Sequence, residues 1–236
     1  MAMNLVEEQA LERRERILET VRQCIVERGV IELTIRDLAQ ACRVSVPTLY
    51  RGFGSKEQLL VEAIRSFFNS EVLGDQLENT GLTGTPRLLA IVELCGKTIE
   101  EMPEYNQQLF TLFMTSDYGA QLGWDITESI THYVRLGLLE IQLTKELHDW
   151  IDLDVLAERV AAQCIITAME FCGGDLSSGG FTAAFDYSVA LLMMAATTGE
   201  SHQLFSQHSQ QNQKFARRQY NERLNRAPGT IGESDV

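Results

Sequence analysis

From Glu8 to Arg28 the apolar residues recur at three- and four-residue steps, so that Ile17, Leu18, Val21, Cys24 and Ile25 share one face of a predicted helix. Gly29 follows as a C-terminal stop. Thr34 then offers an N-cap with Asp37 three positions on, a capping-box variant, and predicts a short helix from Ile35 to Ala41 with Leu38 and Ala39 pointing inward. Cys42-Arg43-Val44 reads as a turn. Ser45 caps a third helix. Pro47 lies in its first turn, where a missing N–H does no harm, and Gly52 and Gly54 end it. Ser55 caps a fourth helix with Gln58 at the box position. That helix carries Leu59, Leu60, Ile64, Phe67 and Phe68 and loses its pattern near Gly74.

Further on, helical periodicity predicts Arg87 to Met102, stopped by Pro103, then Glu104 to about Thr115, and a long amphipathic helix from Trp124 to about His148. Asp154 to Cys172 and Phe181 to Thr198 are apolar on more than one face, ended by Gly173-Gly174 and Gly199. No segment shows strand alternation, so the fold class is all-α. The expected division is a helix-turn-helix domain over 1–69, a polar linker over 70–85, and a helical body over 86–199. A polar tail over 200–236 follows, partly helical or disordered. Within the tail, Phe215, Tyr220 and Leu224 suggest a helix around 211–225, and 227–236 is expected to be disordered.

Composition sharpens this picture. Hydrophobic residues make up 44% of the 236, enough for a sizeable core. No run of about 18 apolar residues suggests a membrane span, and the Glu- and Arg-rich start lacks the apolar region of a secretory signal. Five widely spaced cysteines without a Cys-x-x-Cys pair argue against a disulfide frame or zinc site and for a reducing cytoplasm. Buried thiols are the plain reading of these cysteines, with a redox sensor at Cys42 or Cys172 as the alternative. The net charge of -13 is unevenly placed: residues 1–60 hold nine basic and nine acidic residues, residues 61–236 hold 11 and 24. An acidic body would repel DNA and confine it to the N-terminal tip.

The third helix carries the residue types a groove-entering element needs. Ser45 and Thr48 are donors for phosphate or base, Tyr50 offers a ring and a hydroxyl, and Val46 and Pro47 suit thymine methyl groups. Arg36 opens the preceding helix, Arg43 and Arg51 flank the element, and Lys56 in the next first turn is placed for a phosphate. Each has a plainer alternative: Thr34 and Ser45 as caps alone, Tyr50 as packing, Arg36 paired with Glu32 or Asp37. Their joint spacing is what favours DNA. Thr34-Ile35-Arg36-Asp37-Leu38-Ala39, followed by Val44-Ser45-Val46-Pro47-Thr48-Leu49-Tyr50 and then Phe53, Lys56 and Leu59, resembles the DNA-binding domain of TetR-family transcriptional regulators. The resemblance covers residues 14–60. It implies a homodimer on a near-palindromic operator in double-stranded DNA, acting as a repressor released by a small-molecule effector held in the body. Arg43 stands where the family pattern has Gly, and a positive φ there would cost an Arg about 1 kcal/mol. Val46 and Gly52 lack the phosphate-contacting side chains frequent at their positions.

In the body, Phe110, Phe113, Met114, Trp124, His132, Tyr133 and Met169 form a candidate effector-binding set, with ordinary core packing as the alternative. The two apolar closing helices suggest a four-helix interface in a C2 dimer. No catalytic constellation, metal-ligand spacing or cofactor-binding motif stands out, so neither an enzyme nor a cofactor is expected. A DNA-binding adaptor whose body holds a protein partner, and an interaction protein with a degenerate reader, remain the rival readings.

Overall fold

The computed structural model describes residues 5–67, 73–115, 117–174, 176 and 179–226. Among them lie eleven helices: α1 (Leu5–Arg28), α2 (Ile35–Ala41), α3 (Val46–Phe53), α4 (Lys56–Phe67), α5 (Asp75–Glu78), α6 (Gly84–Glu101), α7 (Pro103–Thr115), α8 (Asp117–Leu143), α9 (Leu153–Cys172), α10 (Gly180–Ala196) and α11 (Gly199–Arg226). The described residues contain no strand, only an isolated antiparallel bridge between Leu147 and Thr197. The all-α expectation holds.

The chain forms two compact units, one of residues 1–74 with 102–126, the other of 75–101 with 127–236. These bounds differ from a division at 69 and 86, because α7 packs on α1 and so groups with the N-terminal helices.

In the first unit α1 lies across α2 and α4. Ile17, Leu18, Val21 and Ile25 are buried as their spacing predicts, whereas Cys24 is only half-buried. Leu38, Leu49, Leu59, Leu60 and Ile64 close the core from the other three helices. Fully burying such a side chain stabilises the unit by about 1.5–3 kcal/mol, which short helices cannot supply from backbone hydrogen bonds alone.

In the second unit α10 is central, packed by α6, α9 and α11. Phe181, Phe185, Val189, Ala190 and Met193 are all buried on it. This explains a helix that is apolar nearly all round. Val155, Ile166, Met169 and Leu191 on α9 and α10 stay exposed in the single chain.

The polar tract after residue 200 departs from expectation. It is one continuous helix, α11, already formed at Gly199 and not first at 211; residues 227–236, expected to be disordered, lie outside the described residues. Three features start it there. Gly199 takes φ +60, which only glycine adopts without strain. Glu146 accepts from Glu200 N at 3.1 Å, Ser201 N at 3.0 Å and Ser201 Oγ at 2.6 Å, closing the orphan donors of the first turn. Phe205 is fully buried. Farther along, His208 Nδ1 lies 3.0 Å from Asp186 Oδ2, and Asn212 Nδ2 donates to the same carboxylate oxygen. Ser209 and Gln219 are buried on that face too. The helix docks through polar groups that find partners on α10, so it carries almost no apolar stripe.

Two measurements follow from this seating. Phe205→Ala should lower the unfolding free energy by about 3–5 kcal/mol in a denaturant titration, the range for emptying a buried aromatic site. A loss below about 1 kcal/mol would mean that α11 only rests on the surface. The Ser201 hydroxyl, Ser201 N–H and Glu200 N–H hold the Glu146 carboxyl below its ordinary range. Its stabilising contribution is therefore complete above the unfolded-state value of about 4.3 and is lost as pH falls through the lower folded value. The stability gap between the wild type and Glu146→Gln should accordingly shrink from about pH 6 to about pH 3.

Candidate nucleic-acid interface

The α2–turn–α3 segment is built from caps inward. Asp37 N donates to Thr34 Oγ1 at 3.2 Å and Thr34 N donates to Asp37 Oδ2 at 3.0 Å, a complete capping box. The Thr34 hydroxyl and its backbone N–H, with Arg28 behind them, hold the Asp37 carboxyl below its usual range. Arg28 also lies 3.3 Å from Asp37, tying the end of α1 to the start of α2. The turn is fixed by Cys42 N on Leu38 O at 2.9 Å, Arg43 N on Gln40 O at 3.1 Å and Val44 N on Ala39 O at 3.0 Å. Arg43 sits there at φ 54. The left-handed conformation that the family pattern reserves for Gly is therefore imposed on a β-carbon-bearing residue.

Ser45 Oγ accepts from Thr48 N at 3.3 Å and lies 2.8 Å from Thr48 Oγ1. With Leu49 and Phe53 buried, Val46, Pro47, Tyr50 and Arg51 are left on the opposite face: Val46 half-buried, Pro47 and Arg51 exposed, Tyr50 at 48%. Thr48 is half-buried between cap and face. Arg36, Arg43 and Arg51 are exposed and have no ion pair among the described residues. Arg36 is therefore not consumed by Glu32 or Asp37, the dull alternative its sequence position allowed.

Lys56 is placed differently from the sequence expectation. It is half-buried, and its ammonium donates to Leu33 O at 2.6 Å and Val30 O at 3.4 Å. Two of its three N–H groups serve the turn between α1 and α2, so its role in the protein precedes any phosphate contact. In the sequence Arg14 is one of several charges on α1. It donates to Glu62, donates to Gly52 O at 3.0 Å, and stacks its guanidinium 4.4 Å from the Phe53 ring centroid. One side chain thereby joins α1, α3 and α4. Only its position three residues before buried Ile17, within a run of arginines, hinted at this.

Burial pushes the Cys42 and Cys172 thiols up to about 11, which leaves them protonated and poor nucleophiles at neutral pH. That removes the motive for a redox sensor at either position.

The expected effector set is not gathered in one described cleft. Phe110 is half-buried and Trp124 is 67% exposed in the first unit. His132 is exposed, Tyr133 half-buried and Met169 46% exposed in the second. The side chains of Phe113 and Met114 lie outside the described residues. The reason on α8 is register: Ile126, Ile130, Val134, Leu138 and Ile141 face inward, so Trp124 and His132 fall on the opposite side. Two open clefts are described. One, of about 260 Å³ in the first unit, lies between α1 and the start of α7 and is lined by Glu19, Arg22, Gln23, Val26, Glu27, Met102 and Tyr105. The other, of about 140 Å³ in the second unit, includes Glu170, Tyr187 and Tyr220. Phe110, Trp124, His132, Tyr133 and Met169 line neither cleft.

Residues 17–63 match the family described as bacterial regulatory proteins, tetR family. This match carries the likeness to that family over α1 to α4. The matched span covers the capped α2–turn–α3 segment and the helices that hold it. The transcriptional repressor KstR of Mycobacterium tuberculosis is 29% identical over 120 residues, 50% of this chain and 54% of that protein. The chain thus spans about half the length of the curated relatives it matches. A TetR-family regulator from Rhodococcus sp. superposes with a TM-score of 0.60 at 19% identity, covering 78% of this chain and 99% of that one. FadR of Thermus thermophilus, a repressor solved with lauroyl-CoA, gives 0.60 at 17% identity, covering 79% and 96%. These two likenesses concern the fold.

Arg14 can be tested apart from DNA. Arg14→Ala should destabilise the chain by about 1–2 kcal/mol, the combined scale of one partly exposed ion pair and one cation–π contact. Arg13→Ala, one position away on the exposed side, should stay within about 0.5 kcal/mol. Equal effects in urea titrations would contradict the bracing role.

Proposed function

We propose that this chain is a TetR-family, sequence-specific transcriptional repressor that binds a near-palindromic site in double-stranded DNA as a homodimer and is released by a small-molecule effector. The carrying observation is the outward face of α3, Val46, Pro47, Tyr50 and Arg51, flanked by exposed Arg36 and Arg43 and backed by a capped, buried scaffold. Residues 1–69 are the reader, 70–85 the linker and 86–199 the effector-binding and dimerisation body in this reading. Residues 200–236 give modest support to the dimer.

Thr34, Ser45 and Thr48 would combine capping with contact to the DNA backbone, and Lys56 would reach a phosphate with what its turn contacts leave free. Two readers in one dimer would enter successive major grooves about 34 Å apart. The exposed apolar residues Val155, Ile166, Met169 and Leu191 support a helix-to-helix dimer through α9 and α10. The apolar composition of the second unit, with the lauroyl-CoA complex of the FadR neighbour, supports an apolar effector of moderate size. No helix among the described residues is long and apolar enough to cross a membrane, in keeping with work in the cytoplasm. The regulator family supports no catalytic role.

Selection of a preferred site from a randomised duplex pool, followed by titration of variants, tests this reading. Tyr50→Ala should lose about 1–3 kcal/mol on the selected site and discriminate less between bases. Arg43→Gly should keep its stability, because relief of the left-handed strain and the greater chain entropy of glycine nearly cancel, at about 1 kcal/mol each. Its salt slope should nevertheless fall by about one unit as a phosphate contact is lost. Two variants that bind as the wild type does would refute the assignment of α3.

A further inference from the structure

Val30 lies in the turn between α1 and α2 and is held through both of its backbone polar groups. Its N–H donates to Gln108 Oε1 at 3.3 Å, from a residue 78 positions away on α7. Its carbonyl accepts from Lys56 Nζ at 3.4 Å, and the same ammonium takes Leu33 O at 2.6 Å. The side chains of Val30 and Leu33 are buried, so water is a poor substitute for either partner. Gly29 just before them takes φ +74, and a β-carbon there would lie 2.7 Å from Gln108 Oε1. The glycine thus supplies the turn and also lets the Gln108 amide reach it. The capped start of α2 follows at Thr34. Gly29 to Leu33 has no helical hydrogen-bond ladder of its own, so its direction depends on these side chains.

From this geometry we infer that Gln108 is a positioning residue for DNA reading. It touches no DNA. It holds the N–H of Val30, with Lys56 it fixes the course of the turn, and the turn sets the direction in which α2 and α3 leave α1. The inference rests on the repressor reading above. Removing the acceptor leaves a buried N–H unpaired and lets the turn relax, which tilts the α3 face out of register with base edges. Phosphate-contacting cations are not removed, so non-specific binding and the number of displaced counterions should not change.

The test uses the full chain, a duplex selected by the unaltered protein from a randomised pool, and a scrambled duplex of the same length. Gln108→Met keeps the side chain's length and loses the acceptor; Gln108→Glu keeps an acceptor in place. Gln108→Met should lower the ratio of selected to scrambled affinity by about tenfold, with the salt slope within about half a unit of the wild type. Gln108→Glu should stay within about threefold. Exchange of the Val30 amide proton, read without DNA, should quicken in Gln108→Met and not in Gln108→Glu. The inference is overturned if Gln108→Met keeps the wild-type ratio, if both variants lose equally, if the salt slope drops by about a unit, or if Val30 exchange is unchanged. A wild type that selects no sequence would overturn the repressor reading and this inference with it. A wild type that selects a site which Gln108→Met reads equally well overturns only the role of Gln108.

Discussion

An eight-residue helix does not persist alone in water, and α3 has eight residues. Everything at the N-terminal end answers to that constraint. Leu49 and Phe53 sink into the core, Ser45 and Thr48 close the first turn, and Gly54 N returns to Tyr50 O at 2.9 Å at the other end. Arg14 then covers the Phe53 ring and takes the Gly52 carbonyl. With two of eight side chains committed inward, the remaining face is rigidly presented and chemically mixed: a phenol, a pyrrolidine, a branched aliphatic and a guanidinium. Such a surface has little use in holding the protein together, and its composition suits a groove lined by phosphates and base edges.

Charge placement reinforces that geometry. Residues 1–60 are neutral in sum, yet many of their cations are committed within the fold: Arg14 to Glu62, Arg22 to Glu19, Arg28 to Asp37, Lys56 to backbone carbonyls. Among the exposed cations with no ion pair in the described residues, Arg36, Arg43 and Arg51 lie on or beside the α2–α3 segment, with Arg13 and Arg16 on α1. The 24 acidic and 11 basic residues of 61–236 give the rest of the chain the opposite character. Arg43 is the most informative of the three. Its positive φ costs about 1 kcal/mol that a glycine would avoid, and a strained cation beside a recognition helix is the kind of local cost that functional surfaces retain.

Local signals were legible in the sequence and long-range ones were not. Thr34 with Asp37 and Ser45 with Pro47 are decided within four residues, so the starts of α2 and α3 followed from the chain alone, while the positive φ at Arg43 was signalled only by the glycine that the family resemblance has there. The tasks of Arg14, Lys56 and Gln108 depend on partners 23 to 78 residues away. No spacing rule announces such partners. The helix α11 was underread for another reason. Its docking face is Ser201, Phe205, His208, Asn212 and Gln219, mostly polar groups, and a hydrophobicity pattern does not see Glu146 placed for Ser201 or Asp186 for His208 and Asn212. Trp124 and His132 of the effector set fall on the side of α8 away from Ile126, Ile130 and Val134, since aromatic content says nothing about which side of a helix faces inward.

The most direct test of the central claim is hydrogen–deuterium exchange across the full chain, with and without a duplex selected from a randomised pool. The account predicts protection concentrated between Thr34 and Arg51, with the helices of residues 127–226 unchanged apart from effects at the subunit contact. Protection that spares α2 and α3, or that falls on α11 and its arginines instead, would contradict it.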